Sequence, residues 1–344
     1  MDSLSQIVLG AAVGEAVLGK KVGNKAPLWG AAFGTLPDLD SFISLFTSPL
    51  DYLIIHRGFS HSFLFAILMA PLFGYLLHRV YSRRNVEGSR KEWSLLVFWA
   101  LLTHSLLDGF TSWGTQLLWP FTDYRAAISS IHVIDPFYTL PFLVCVLITL
   151  FLHRDSRARK FWNRLGLYLS TAYLCFTLLN KLTVNAVFKQ ALHKRGSSVL
   201  RMETYPTPLN NALWHVVAKE PDGYRLGIYS LLRENYHVDF VFIPHNHKLI
   251  KGHEEDRAIK ALRWFSDESF SITQKGDTLV WNDLRFGILD GWQEGREIET
   301  NFKLNLIKEG EEYTGIRSLI FPVEKITQER WDAFWRLVRG EPVQ

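Results

Sequence analysis

Apolar residues crowd the first half of the chain and thin out abruptly in the second. Up to about Phe188, runs of Leu, Phe, Ala, Val and Trp dominate; from Lys189 onward a charged residue recurs every few positions. That shift predicts two domains, residues 1–188 and 189–344. In the first, Phe63 to Val80, Trp93 to Phe110, Pro136 to His153 and Leu165 to Thr183 approach the roughly 20 residues a helix needs to cross a bilayer. Two shorter runs, Leu4 to Leu18 and Pro27 to Leu36, are rich in Gly and Ala, which let helices pack closely. They read either as full spans or as half-inserted, re-entrant helices. The expected fold class is a polytopic α-helical membrane domain of about six segments, two of them short, followed by a soluble α+β domain.

The second domain has a different rhythm. Leu213 to Ala218 and Arg225 to Ser230 flank Glu220-Pro221-Asp222-Gly223, a hairpin signal. Asp239 to Ile243, Ser269 to Thr273, Thr278 to Trp281 and Phe302 to Ile307 read as strands. Ala258 to Phe265 and Glu329 to Val338 carry helical periodicity. No nucleotide-binding loop and no nucleophile elbow is visible.

Loop charges suggest an orientation. Arg79, Arg83, Arg84, Arg90 and Lys91 follow one apolar run; Arg154, Arg157, Arg159, Lys160 and Arg164 follow another; Lys20, Lys21 and Lys25 form a third group. If the runs alternate across the membrane, all three groups share a side, and that side is cytoplasmic. The N-terminus, the links at 37–62 and 110–135, and the whole C-terminal domain are then expected outside the cytoplasm, in a multi-pass inner-membrane protein. Trp113, Trp119, Phe121 and Tyr124 fit an interfacial aromatic belt. The N-terminus lacks a basic start and carries Glu15 within its apolar stretch, so it is expected to belong to the mature structure and not to a cleaved signal.

Composition adds little beyond this. The mean hydropathy of +0.03 averages two unlike halves. A formal charge of +4 argues against a nucleic-acid surface, so the bilayer is the expected partner; no protein partner is named by the residues. Both cysteines, Cys145 and Cys175, lie in apolar runs, where they act as small hydrophobes.

The chemistry concentrates in a few polar clusters. His104 and Asp108, four apart, share one helix face and can reach one ion, or simply join two helices by a hydrogen bond. Asp38 and Asp40, in Pro37-Asp38-Leu39-Asp40, suit direct metal ligation, orientation of a histidine, or an ordinary turn. His56 and His61 flank a tight turn and add imidazoles. Arg57 suits an anionic substrate group, or pairs with Asp38, Asp40 or Asp51. Asp135, before Pro136, reads first as a helix cap and adds a further carboxylate on the same face. Glu15, Asn180 and Lys181 also need partners. Taken together the set is His56, His61, His104, Asp108, Asp40 and Asp135 as metal ligands, with Asp38, Asp40 and Arg57 in catalysis. The mixed N/O donors suit a divalent metal, zinc first.

At these residues the chain resembles the membrane-bound metal-dependent hydrolases, a domain family of unknown function sometimes labelled LexA-binding, inner-membrane-associated hydrolases. The likeness rests on the opening MDSLSQIVLGAAVGEAVLG, PDLD at 37–40, HRGFSHS at 56–62, His104 with Asp108, and PTPLNNALW at 206–214. The His-x-x-x-Asp pattern is also similar to the zinc-dependent phospholipase C and P1 nuclease superfamily. One departure stands out: many relatives carry Thr-His in the first helix where this chain has Ser5-Gln6, which implies one strong ligand fewer. The resemblance implies a membrane-embedded, metal-dependent hydrolase of an ester or phosphoester, lipid-like substrates included, at the extracytoplasmic face. The alternative is a non-catalytic membrane regulator or scaffold with a structural metal and a partner-binding outer domain.

Overall fold

The computed structural model describes residues 1–290, 299–320 and 327–341. The chain divides into two compact units: residues 1–43 with 55–177, and residues 44–54 with 178–344. The division falls inside a long helix because its last turns belong to the second unit. There Val184, Val187, Phe188 and Leu192 are buried with Trp214, Val216 and Ala218, so apolar periodicity continues past the point where lipid-like composition ends.

The first unit opens with α1 (Ser3–Val22), whose start is capped by Asp2 accepting from the Ser5 amide. It turns at Gly23 into α2 (Lys25–Thr35). The two helices lie backbone to backbone: a Cβ on Gly10 would stand 2.3 Å from the Gly30 carbonyl oxygen, and one on Gly34 would stand 2.8 Å from that of Gln6. Glycines four apart on each helix, Gly10 with Gly14 and Gly30 with Gly34, make this approach possible. A 3₁₀ stretch, Leu36–Leu45, and α3 (Pro49–Ile55) follow. α4 (Phe63–Ser82) packs on α5 (Arg90–Asp108) where Gly74 meets Ser94 and Tyr81 stacks on Trp93. A capping box of Ser89 and Glu92 starts α5. α6 (Pro136–Phe151) and α7 (Arg157–Lys194) complete the helices that enter this unit.

The expected polytopic membrane domain is not what the structure contains. Helices form at all six apolar runs, but among the described residues only α4 is long and apolar enough to cross a membrane. α6 has 16 residues; α5 opens on Arg90, Lys91 and Glu92; α7 opens on Arg157, Arg159 and Lys160. In α1, Glu15 is buried in a two-point ion pair with Arg159, whose Nε and Nη2 donate at 2.7 and 2.6 Å. Apolar composition records removal from water, not whether protein or lipid does the removing. The alternation of crossings that set the C-terminal domain outside the cytoplasm needed all six spans, and it falls with them.

The second unit carries two four-stranded antiparallel sheets. β1 (Arg201–Pro206), β2 (Leu213–Glu220), β3 (Gly223–Ser230) and β4 (Asp239–Pro244) form a meander in chain order. The expected hairpin is there, with Glu220 opposite Gly223. After α8 (Arg257–Phe265) come β5 (Phe270–Lys275), β6 (Thr278–Asp283), a short pair β7 (Ile288–Asp290) and β8 (Glu299–Thr300), then β9 (Lys303–Glu309) and β10 (Glu312–Ile320). The second sheet runs β10-β9-β6-β5, and α9 (Gln328–Val338) closes the described chain. With α1 to α7 these make nine α-helices among the described residues. β1 and β10 were not foreseen, because Arg201, Glu203 and the Gly315 bulge break their alternation.

Within this unit, Asn180 donates to the Asn211 side chain and Lys181 to the Thr204 carbonyl. These polar residues of α7 are therefore satisfied by β1 and by the connection from β1 to β2.

Candidate metal centre

Three short pieces of the first unit meet at one point. The last turn of α5 supplies His104 and Asp108, four apart and therefore on one face. The 3₁₀ stretch supplies Asp38. The turn before α4 supplies His61. That turn is shaped by Arg57, a non-glycine residue at φ 61°. Its amide donates to Asp40 Oδ2 at 3.1 Å and its carbonyl accepts from Gln116 at 2.9 Å, which offsets the cost of the left-handed backbone. Ser62 then starts α4 by accepting from the Phe65 amide.

Asp38, His61, His104 and Asp108 each offer one ligand atom, and these four atoms lie within 4.8 Å of one another. The two histidines approach through Nε2, 3.1 Å apart. His104 Nδ1 lies 2.6 Å from the Gly34 carbonyl oxygen. A carbonyl only accepts, so Nδ1 carries a proton and the Nε2 edge of the ring faces His61. His61 is held in the same manner, its Nδ1 lying 3.0 Å from Ser60 Oγ and 3.4 Å from Asp40 Oδ2. Asp38 Oδ1 stands 3.3 Å from His61 Nε2 and 3.5 Å from His104 Nε2. Asp108 Oδ2 stands 3.3 and 3.7 Å from the same atoms, and it is buried without a well-aligned hydrogen bond.

This arrangement fits a divalent ion. Two imidazole nitrogens and two carboxylate oxygens converge, and each imidazole is oriented by a partner on its far nitrogen. The electrostatics agree. Burial alone would lower the His61 pKa, but hydrogen bonds to Asp108, Asp38 and Asp40 override it and push it up to about 10. Burial works to raise Asp38, yet His104 and His61 hold it well below the usual carboxylate range. Burial likewise works to raise Asp108, and Arg57 with the Met1 amino group keeps it low. A proton on His61 therefore supplies the positive charge that an ion would replace, with release of that proton.

The remaining expected residues surround this group or lie apart from it. Asp40 does not join it: Oδ1 pairs with His56 Nδ1 at 2.7 Å, and Oδ2 accepts from Ser60 at 2.8 Å. His56 is thereby engaged with Asp40 and edge-on to Trp113; burial lowers its pKa despite that carboxylate. Arg57 does not pair with Asp38, Asp40 or Asp51. Its Nε lies 3.2 Å from Asp108 Oδ2, and its Nη1 donates to Thr111 Oγ1 at 2.9 Å. Asp51 instead pairs with Arg257 of the second unit, to which both residues belong. Asp135 is the cap of α6 and accepts from the Tyr173 hydroxyl at 2.9 Å, outside the ligand group.

Several contributors were not legible beforehand. The Gly34 carbonyl has no side-chain signal at all. Ser60 and Thr111 are ordinary polar residues in sequence. Gln6, marked in the sequence only as part of the Ser5-Gln6 departure, is fully buried on α1, and its Nε2 donates to Asp108 Oδ1 at 2.9 Å; the Met1 amino group, which the sequence did not mark, pairs with the same oxygen.

A family model described as YdjM inner membrane protein matches residues 1–184, more than half of the chain, and the chain belongs to that family. It is similar to "Uncharacterized protein YfhP" of Bacillus subtilis (strain 168), 28% identical over 155 residues, which cover 43% of this chain and 46% of that protein. It is also similar to "Inner membrane protein YbcI" of Escherichia coli (strain K12), 36% identical over 98 residues, 28% of this chain and 54% of that one. The chain thus spans about half the length of the curated relatives it matches. No solved structure matches significantly. Membrane localisation follows from the family. Neither the family description nor these names mention a hydrolase, a phospholipase C or a P1 nuclease.

Proposed function

We propose, on the premise that this chain is a YdjM-family inner membrane protein, that it is a metal-dependent hydrolase of an ester or phosphoester. The observation that carries this reading is the pair of Nε2 atoms 3.1 Å apart, with the far nitrogen of His104 anchored on Gly34 and that of His61 on Asp40 and Ser60. In this reading Asp38, His61, His104 and Asp108 hold the ion, zinc by the chemistry of the donor set. Bound zinc lowers the pKa of its water to about 7 and so supplies hydroxide at neutral pH.

The chain's own residues do the rest. Asp40 fixes the His61 ring and, with Ser60, the turn that carries it. Arg57 sits beside Asp108 and is the group that meets a substrate's negative charge. Asp38 is the one ligand with an open side, its side chain 17% exposed against 0% for His61, His104 and Asp108. We therefore assign substrate entry to the side of Asp38. His56 and Asp135 have no direct role in this scheme.

The location of the site supports action at the membrane surface. His61 stands two residues ahead of α4, the candidate span. Beyond the far end of α4 come Arg83, Arg84, Arg90 and Lys91, while the near flank carries only the buried Arg57. By the positive-inside preference that far end faces the cytoplasm and the site the opposite face. A reporter fusion at residue 86 tests this; extracytoplasmic activity there overturns the placement.

The competing reading is a structural ion in a regulator, and four protein ligands with three of them fully buried favour it. Metal analysis of the purified protein, with and without His61→Ala plus His104→Ala, tests the site itself. We expect near-stoichiometric zinc in the parent and background in the double variant; equal content in both removes the proposal. Zinc-dependent turnover of chromogenic ester and phosphodiester substrates then separates enzyme from scaffold.

A further inference from the structure

Gln6 is completely buried on α1, and its side-chain amide is used at one end only. Nε2 donates to Asp108 Oδ1 at 2.9 Å and lies 3.3 Å from the His104 carbonyl. Oε1 is buried with no hydrogen-bond partner. The amide cannot be reversed without setting two acceptors, Oε1 and the Asp108 carboxylate, against each other. A buried carbonyl oxygen left without a donor is uncommon, and each case asks what donor it was meant for.

The two oxygens of Asp108 have separate tasks. Oδ1 is occupied by Gln6 and the Met1 amino group. Oδ2 alone faces His61 and His104, at 3.3 and 3.7 Å. A carboxylate whose one oxygen is tied by donors coordinates through the other, and a coordination position stays free.

We propose that Gln6 is a positioning residue of the metal centre. Its Nε2 restricts Asp108 to one-oxygen ligation, and its Oε1 accepts a hydrogen bond from the water that takes the free position. This rests on the metal reading above. Gln6 then shapes the ligand field from outside it.

Cobalt(II) loaded into the full-length protein in detergent tests this without any turnover assay, because its visible bands are intense at four- or five-coordination and weak at six. The parent is expected to show the intense bands. Gln6→Leu, which keeps the bulk and removes both hydrogen bonds, leaves Asp108 Oδ1 held by the Met1 amino group alone; the carboxylate then turns its second oxygen toward the ion and the bands weaken. Gln6→His brings a nitrogen to the same place, so its bands shift and cobalt binds more tightly. Should Gln6→Leu not fold, judged by its melting curve without metal, Gln6→His carries the test. Spectra of the folded variants that superimpose on the parent overturn the proposal while leaving the metal site intact. A parent that binds no cobalt overturns the metal reading itself.

Discussion

Replacing Gly30 by alanine puts a methyl group where the backbones of α1 and α2 already touch. The new Cβ would stand 2.1 Å from the Gly10 carbonyl oxygen and 2.9 Å from the Gly14 Cα. Ordinary contact begins near 3.4 Å, so the helices must separate by about 1.3 Å at that point. Both atoms are backbone, and no rotamer change can make room. Overpacking of this kind costs roughly 1–3 kcal/mol, and the upper end applies where only backbone can yield. Alanine's better helix propensity returns up to ~1 kcal/mol. The net is about 2 kcal/mol, a fall in melting temperature of roughly 4–8 °C for a domain of this size. The same displacement reaches the candidate metal centre, because the last turn of α2 carries the Gly34 carbonyl that accepts from His104 Nδ1 at 2.6 Å. Stretched by about an ångström, that hydrogen bond exceeds the distances at which such bonds hold, and loss of an orienting partner costs about 10–100-fold in metal affinity. Scanning fluorimetry in detergent reads the first effect, and competition for zinc with a chromogenic chelator reads the second. Gly315→Ala is the control, since its Cβ would find nothing nearer than 3.9 Å. A Gly30→Ala protein that melts with the parent and binds zinc equally well would refute the chain of reasoning from helix contact to ligand geometry.

Glu15→Gln leaves Arg159 buried opposite a neutral amide in place of its two-point carboxylate partner; breaking such a pair costs about 3–5 kcal/mol, and chemical denaturation should report a loss of that size. Asp135→Ala should cost about 1 kcal/mol as a lost helix cap and leave zinc content unchanged; a drop in bound zinc would show that Asp135 belongs to the site after all. His247 stacks between His245 and Phe270, and burial, with His245 adding to it, lowers its pKa to about 4. The unfolded chain takes up that proton near 6.5, so stability should fall between pH 6.5 and 4, and His247→Gln should flatten that part of a melting-temperature profile. Profiles that coincide over this window contradict the shift.

Much of the local structure could be read from the residues alone. Apolar runs marked the helices of the first unit, the Pro-Asp-Gly turn marked the β2–β3 hairpin, and a spacing of four placed His104 and Asp108 on one face of α5 whatever the rest of the chain does. What short-range pattern cannot convey is which polar residues meet across the fold. Asp38 and Asp40 look equivalent in sequence, but a 3₁₀ turn advances 120° per residue, so two positions apart they face different neighbours. One joins the candidate metal centre and the other holds the turn of His56 and His61. The Gly34 carbonyl and the buried amide of Gln6 enter the site only once α1 and α2 are packed against α5. The same limit explains the overcounted spans. Sequence determines that a segment must leave water; only tertiary packing decides whether another helix or the bilayer receives it, because the hydrophobic effect is indifferent to what lies on the far side.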